Sequence, residues 1–393
     1  MDYSKLYTKN LPADVSSPAG LRAQVKYIFS VTNACPEVID VELYADAARD
    51  ALRREGKSLA GYPPPLGHEG MRQLIVDNLS EKRGADVDLD SVFLSEGAGG
   101  AIRSIVGAFI DPGDIVLQEE FSYLGTLRML LEKRAEVIHI PTDDDGMDTD
   151  ALEKTVKALA AQGKRPKMIY TISVYQNPMG VTLSAERRGH MVRISQEYDI
   201  PIVENESYAD FRIDGDPLPP AMLGMDESSS VIYVSSYTKL LGCGIRLGYG
   251  VAPQEVVEKL EPRRPSNLAS MTFYEYLSRH KDEHIEKVRT TLEAKRDALL
   301  ESLEKHFPAS CSWTKPAGGM MVWVKLPEGA DTWKALDAAV EANVKYNPGG
   351  VFRAGRDCNN YLRLTYSHNT PDEIREGIAT LSEVFQQQGF FEA

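Results

Sequence analysis

Six short runs of strand-forming residues lie between about residues 90 and 253, at 91–94, 115–118, 136–140, 168–172, 202–204 and 231–234. Amphipathic stretches of helical period separate them. Strands that alternate with helices in this way return to the same sheet through crossovers, so the expected core is a large, doubly wound, mostly parallel α/β sheet. Asp111-Pro112-Gly113-Asp114 and Asp143-Asp144-Asp145-Gly146 mark turns between the units. Beyond this region a charged amphipathic segment over 282–306 is predicted helical and is expected to link two domains. Gly318-Gly319 followed by Met320-Met321-Val322-Trp323-Val324, and a strand-like 361–366, predict a smaller α+β domain. The expected division is a large domain over 45–275 and a small one built from 1–44 and 276–393.

The bulk properties narrow the partners. A chain of 393 residues buries a sizeable core. Its net charge of -14 argues against nucleic acid or an anionic membrane surface as a partner. No apolar run approaches the ~20 residues that span a bilayer, and Met1-Asp2-Tyr3-Ser4-Lys5 lacks the pattern of a signal peptide. Cys35, Cys243, Cys311 and Cys358 are scattered, without CxxC pairs or nearby histidine clusters. Neither a metal site nor a disulfide framework is expected, and a reducing cytoplasm is the expected setting.

One segment carries most of the chemistry. Val231-Ile232-Tyr233-Val234 reads as a buried strand, and Ser235-Ser236-Tyr237-Thr238-Lys239-Leu240-Leu241-Gly242-Cys243-Gly244-Ile245-Arg246-Leu247-Gly248 follows it. Open α/β sheets bind ligands at the carboxyl ends of their strands. A lysine amine forms Schiff bases with carbonyls. Hydroxyls such as Ser236, a glycine-rich backbone and Arg246 suit a phosphate dianion. An aldehyde that carries a phosphate satisfies both halves, and pyridoxal 5′-phosphate (PLP) is the candidate. Taken alone, the segment also reads as a solvated Lys-Arg loop.

Other strand ends point the same way. Ser95-Glu96-Gly97-Ala98-Gly99-Gly100-Ala101-Ile102 follows a strand and opens a helix, where small residues and unsatisfied amides suit a phosphate; in isolation it is also an ordinary tight turn. Tyr175-Gln176-Asn177-Pro178-Met179-Gly180 is either a proline turn or a place where Asn177 meets a phenolate oxygen or a carboxylate. Val203-Glu204-Asn205-Glu206-Ser207-Tyr208 ends another strand, with Tyr208 in reach of a phenolic oxygen and Asn205 where a partner for a ring nitrogen is expected. Tyr123 offers an aromatic face for stacking on a pyridine ring.

Together these segments resemble the fold type I PLP enzymes of the aminotransferase class I/II superfamily, and more narrowly the branch of 2-aminoadipate and related broad-specificity aminotransferases. The resemblance runs from about Tyr62 to the C-terminus. It takes in Tyr62 with Gly67 and Gly70-Met71-Arg72-Gln73-Leu74, the Ser95 to Ala101 loop, Glu119 with Tyr123, and Gln176-Asn177-Pro178-Met179-Gly180. It continues through Ser236 to Lys239, Gly244 to Gly248, Pro316 to Trp323, Asn347-Pro348-Gly349 and Arg363. The resemblance implies that Lys239 holds PLP as a Schiff base and then moves protons at the substrate Cα. It implies a phosphate site made of the Gly97, Ala98 and Gly99 backbone, Ser236 and Arg246, completed by Tyr62 of a neighbouring subunit, and hence a homodimer with shared active sites. Asn177 and Tyr208 are implied as partners of the phenolic oxygen, Tyr123 as the stacking ring, and Arg363 as the grip on the substrate α-carboxylate, with Asn177 beside it.

Two departures stand out. Family members usually carry aspartate where this chain has Asn205, and a proline where it has Phe121. Aspartate keeps the pyridine nitrogen protonated and makes the ring a strong electron sink; an amide supplies no such charge. Glu206 is adjacent, but neighbouring strand residues face opposite sides. The expected function is an aminotransferase that moves an amino group between an α-amino acid and a 2-oxo acid. Asn205 keeps a second outcome open: elimination or replacement, cyclisation, oxidation or carbon–carbon bond formation on the same cofactor in a specialised biosynthetic pathway. A non-catalytic PLP-binding sensor is a third.

Overall fold

The computed structural model describes residues 24–260 and 264–391, together with Met1 and Leu6. Seven strands form the large sheet: β1 (Val92–Glu96), β2 (Ile115–Glu119), β3 (Glu136–Ile140), β4 (Met168–Thr171), β5 (Ile202–Asn205), β6 (Val231–Ser236) and β7 (Leu247–Val251). Their order is β1-β7-β6-β5-β4-β2-β3. All pairings are parallel except those of β7, which runs antiparallel to both β1 and β6. Helix α1 (Val41–Glu55) packs on the later helix over 267–306, and the helices that cover this sheet include α2 (Glu69–Arg83), α3 (Gly97–Phe109), α4 (Leu124–Glu132), α5 (Thr149–Ala160) and α6 (Ala185–Tyr198). Because helices shield both faces, the central strands are buried on each side and read as near-continuous apolar runs.

Six of the seven strands follow the sequence expectation to within two residues at each end. β7 does not appear in that expectation, because Leu247-Gly248-Tyr249-Gly250-Val251 places glycine at every second position, where strand propensity is lowest. The structure shows what the glycines do. A Cβ on Gly248 would lie 2.4 Å from the Gly97 carbonyl carbon, and one on Gly250 the same distance from the Phe93 ring. Only a strand without side chains on that face fits against β1.

The predicted helix over 282–306 is the C-terminal part of a longer one, α7 (Asn267–His306). Its first turns carry Thr272, Phe273, Tyr274 and Tyr276, poor helix formers that hide the helical period, and packing against α1 and α2 holds them. Past α7 a second sheet of β8 (Ser312–Trp313), β9 (Met321–Lys325), β10 (Asn347–Pro348) and β11 (Tyr361–Thr365) runs antiparallel in the order β8-β9-β11-β10. Helix α8 (Pro371–Gln387) opens with a capping box between Thr370 and Glu373 and packs against α7.

The segment before α1 is tied to this second sheet. Tyr27–Ile28 pairs in parallel with Val344–Lys345, Ile28 N–H donates to Asn369 Oδ1 (3.1 Å), and Thr365 Oγ1 donates to the Val31 carbonyl (2.8 Å). These bonds carry Thr32 to the carboxyl edge of the large sheet. Among the described residues no helix is long and apolar enough to cross a membrane.

Candidate active site

Parallel strands deliver their carboxyl ends to one edge, and β7, running the other way, starts there. Ala98 and Gly99 follow β1, Tyr123 follows β2, Asn177 follows β4, Asn205 and Tyr208 sit at and after the end of β5, Ser236 ends β6 with Lys239 beyond it, and Arg246 immediately precedes β7. All nine line one cavity. Thr32, Ile102, Ile172, Ser207 and Thr238 complete its wall.

At one end of the cavity the backbone is set for an anion. Gly97 adopts φ +71°, and a Cβ there would stand 3.1 Å from both Arg246 Nη2 and Thr238 Oγ1. Glycine thus lets the strand-to-helix turn lie against those two side chains. The N-cap of α3, Glu96, makes no side-chain cap, so the first amides of this helix, Ala98 and Gly99 among them, have no capping acceptor at the positive end of the dipole. Arg246 Nη2 donates to the Glu96 carbonyl (3.0 Å) and is held across the same turn. Ser236 Oγ accepts the Thr238 N–H (3.0 Å) and donates to the Leu247 carbonyl (3.1 Å), which fixes the hydroxyl at the head of the Lys239 turn.

Lys239 sits in the short helix Thr238–Leu241 that follows β6. Its amine donates to Cys243 Sγ (3.7 Å), and among the described residues no carboxylate pairs with it. An amine so placed keeps its lone pair accessible to a carbonyl once deprotonated.

Behind the cavity wall, one hydrogen bond beyond Asn177, lies a guanidinium without a counter-charge. Arg363, in register with Trp323 and Asn347 across β9 and β10, is buried. Nη1 donates to Asn177 Oδ1 (2.8 Å) and Nη2 to the Ser30 carbonyl (2.7 Å), while Nε has no partner. No carboxylate faces this guanidinium among the described residues. Burial pulls its pKa down to about 10, against the pull of Tyr208 and Tyr123. A buried cation surrounded by neutral groups is costly unless a ligand supplies the counter-charge.

The same bond orients Asn177. With Oδ1 turned to Arg363, the amide N–H₂ is left for the cavity. Burial raises the pKa of Tyr208, while its hydroxyl hydrogen-bonds the side chains of Thr32 and Asn177. Tyr123 stands at the mouth, 40% exposed, as the N-cap residue of α4. These donors and this ring match the phosphate, aldehyde, phenolic oxygen and aromatic face of PLP, so the residues present fit that cofactor.

Three expected site residues are not part of the cavity wall. Gly97 lies behind it and acts through its backbone. Arg363 is one hydrogen bond away, through Asn177. Tyr62 is 98% exposed and lies in a separate surface depression with His68 and Tyr274. Of the wall residues that sequence reasoning did not single out as cofactor contacts, Ser207 and Thr238 sit inside quoted motifs. Ile102 and Ile172 carry the signature of ordinary core. Thr32 arrives from a segment more than 170 positions from its neighbour Tyr208.

Glu206 is on the far face of β5, as strand alternation requires. It forms a buried network with Arg83 (2.7 Å), Arg188 (2.8 Å) and the Tyr233 hydroxyl (3.1 Å), while Glu204 meets Arg188 (3.0 Å) and Ser173 (2.9 Å). Burial pushes both carboxyls up. For Glu206 the two guanidiniums outweigh burial and hold it below the usual range, while Glu204 stays above it. The network anchors the strand that carries Asn205 and contributes nothing to the cavity.

Comparison with known proteins agrees with this geometry. Residues 32–381 match the family described as Aminotransferase class I and II, a span that begins N-terminal to Tyr62. An aromatic-amino-acid aminotransferase of Thermococcus litoralis is 34% identical over 90% of this chain and 86% of its own length. A 2-aminoadipate transaminase of Thermus thermophilus is 29% identical over 89% of this chain and 88% of its own. Among solved structures, a multiple substrate aminotransferase from Thermococcus profundus superposes with a TM-score of 0.92 at 30% identity, covering 99% of each chain. The Pyrococcus horikoshii kynurenine aminotransferase gives 0.93 at 29% identity, covering 100% of this chain and 99% of its own.

Proposed function

The chain belongs to the aminotransferase class I and II family, and from that premise we propose how its residues divide the work. It is a PLP-dependent aminotransferase of fold type I, exchanging an amino group between an α-amino acid and a 2-oxo acid. Bound PLP supplies an aldehyde that joins to amines and a conjugated ring that withdraws electrons from the substrate Cα. In our reading the Gly97, Ala98 and Gly99 backbone, Ser236 and Arg246 hold the phosphate. Tyr123 covers the ring. The Asn177 amide and the Tyr208 hydroxyl meet the phenolic oxygen. The Lys239 amine would hold the aldehyde carbon and, when free, would move the proton at the substrate Cα. Arg363 takes the α-carboxylate in a two-point grip, with Asn177 beside it.

The observation that carries this reading is the buried Arg363 guanidinium, without a carboxylate partner among the described residues and one hydrogen bond behind the cavity wall through Asn177. Borohydride reduction of the PLP-loaded protein followed by peptide mapping tests it. The phosphopyridoxyl group is expected on Lys239, and an adduct on another lysine overturns the assignment. Mixing with amino acid should convert the cofactor to its amine form. The relatives and solved structures named above carry aminotransferase or transaminase names, so the non-transaminating outcomes that Asn205 left open are not favoured.

We also propose a homodimer with shared active sites in the cytoplasm. A 98% exposed tyrosine, Tyr62, at a position implied for phosphate binding supports the first, and four unpaired cysteines support a reducing compartment. The proposed division sets a large domain over 45–275 against a small domain of 1–44 and 276–393, with α7 running from one into the other. Residues 2–5, 7–23, 392 and 393 of the small domain, and 261–263 of the large one, lie outside the described residues.

A further inference from the structure

Asn205 ends β5 in a setting that dictates what it can offer a ligand. Its Oδ1 accepts from the Ser207 N–H (3.1 Å) and from Ser207 Oγ (2.6 Å), and its Nδ2 donates to the Tyr170 hydroxyl (2.9 Å). An amide's two ends look alike by shape, but a backbone N–H can only donate. The Ser207 N–H therefore fixes which end is oxygen. That oxygen has two lone pairs, and both are used; the nitrogen has two hydrogens, and one is used. A single N–H remains.

The surroundings keep this assignment in place. Tyr170 is held by Thr126 Oγ1 (3.0 Å), and burial raises its pKa above the ordinary range, so it stays a neutral hydroxyl. Asn205 is 5% exposed, so its bonds to Ser207 and Tyr170 are shielded from solvent. Among the described residues no carboxylate substitutes for it. Glu204 and Glu206 are committed to Arg188 and Arg83 on the opposite face. Glu119, at the end of β2, is engaged by Thr171 Oγ1 and the Ile172 N–H (both 2.6 Å).

We propose that Asn205 meets the ring nitrogen of PLP as a hydrogen-bond donor, and that this enzyme works with that nitrogen unprotonated. The inference rests on the proposed PLP reading of the cavity and deepens it. A protonated ring nitrogen would bring a second N–H against the remaining N–H of Asn205, and two donors facing each other form no bond. A neutral ring withdraws fewer electrons from the substrate Cα than a pyridinium. More of the work of stabilising charge at Cα then falls to the Lys239 amine and to the donors at the phenolic oxygen.

The test is the nitrogen-15 spectrum of the holoenzyme loaded with ring-labelled PLP, recorded by solid-state NMR for the wild type, Asn205→Asp and Ser207→Ala. The wild type is expected at the shift of a neutral, hydrogen-bonded pyridine and Asn205→Asp at the pyridinium shift. Ser207→Ala should remain neutral, because the Ser207 N–H still fixes the amide. A pyridinium signal in the wild type overturns the proposal even if Asn205→Asp fails to fold, and so does a neutral signal that a folded Asn205→Asp leaves unmoved. A wild type that binds no PLP overturns the cofactor reading as well. Borohydride labelling of Lys239 together with a protonated ring overturns this inference alone.

Discussion

Arg363 shows how one side chain reports an absent partner. Two of its nitrogens are bonded to neutral acceptors and the third to none, in a pocket that pulls its pKa down. In the proposed reading, a substrate carboxylate supplies the missing charge. Removing one partner of a desolvated charge pair costs about 2–5 kcal/mol, or ~30- to 5,000-fold in binding. Arg363→Gln is therefore expected to lower kcat/KM for amino acids by a factor in that range. PLP retention, read by its absorbance, should be unchanged. Arg363→Lys keeps the charge without the paired donors and should recover only part of the loss. Equal loss of cofactor and substrate binding would instead reveal a folding defect.

At the scale of elements, two strand ends carry testable strain. β7 lies against the turn that opens α3 because Gly248 has no side chain there. Gly248→Ala is expected to cost about 1–3 kcal/mol of stability, the usual range for overpacking, and to weaken PLP retention by displacing Gly97. Melting temperature and cofactor titration measure the two effects. The end of β2 holds Glu119, whose carboxyl burial pushes from 4.5 up to about 7, against the bonds from Thr171 and Ile172. The folded chain therefore holds this proton more tightly than the unfolded chain does. Stability is expected to fall as pH rises from about 4.5 to about 7, by roughly 3 kcal/mol in all. Glu119→Gln removes the titration. Urea unfolding at both ends of that window should show a pH-dependent loss that is smaller in the variant than in the wild type, the remainder belonging to Glu204, which titrates in the same direction, and parallel curves would refute the assignment.

For the whole molecule, the proposed homodimer is tested by asking which chain completes each site. Tyr62 is 98% exposed and outside the cavity wall, which fits the proposed role in a neighbour's site. Co-expression of Lys239→Ala and Tyr62→Ala chains separates the possibilities. If Tyr62 acts across the interface, the hybrid has one site with both lesions and one intact site. It should then recover about half of the wild-type rate, as expected for one of two symmetric sites. If Tyr62 acts within its own chain, both sites are broken and no activity returns. Sedimentation of the unmodified protein should give the mass of two chains.

Local chemistry determined a great deal here. Short β-branched runs and amphipathic spacers specify the crossover sheet, since period and propensity are properties of neighbouring residues. Lysine, hydroxyl, glycine and arginine near Lys239 identify the cofactor chemistry for the same reason. The tertiary structure decided what depends on groups distant in the chain. β7 becomes a strand because packing against β1 favours the glycines that weaken it in isolation. The first turns of α7 become helical because α1 and α2 bury their aromatic residues. Asn177 and Arg363, 186 positions apart, orient each other, and Thr32 reaches the cavity only because its segment is pinned to the second sheet. The amide of Asn205 was legible as a departure, but its direction was not. Tyr170 and Ser207 settle that direction, and a hydrogen-bond donor acquires a role only when folding determines what remains for it to bond.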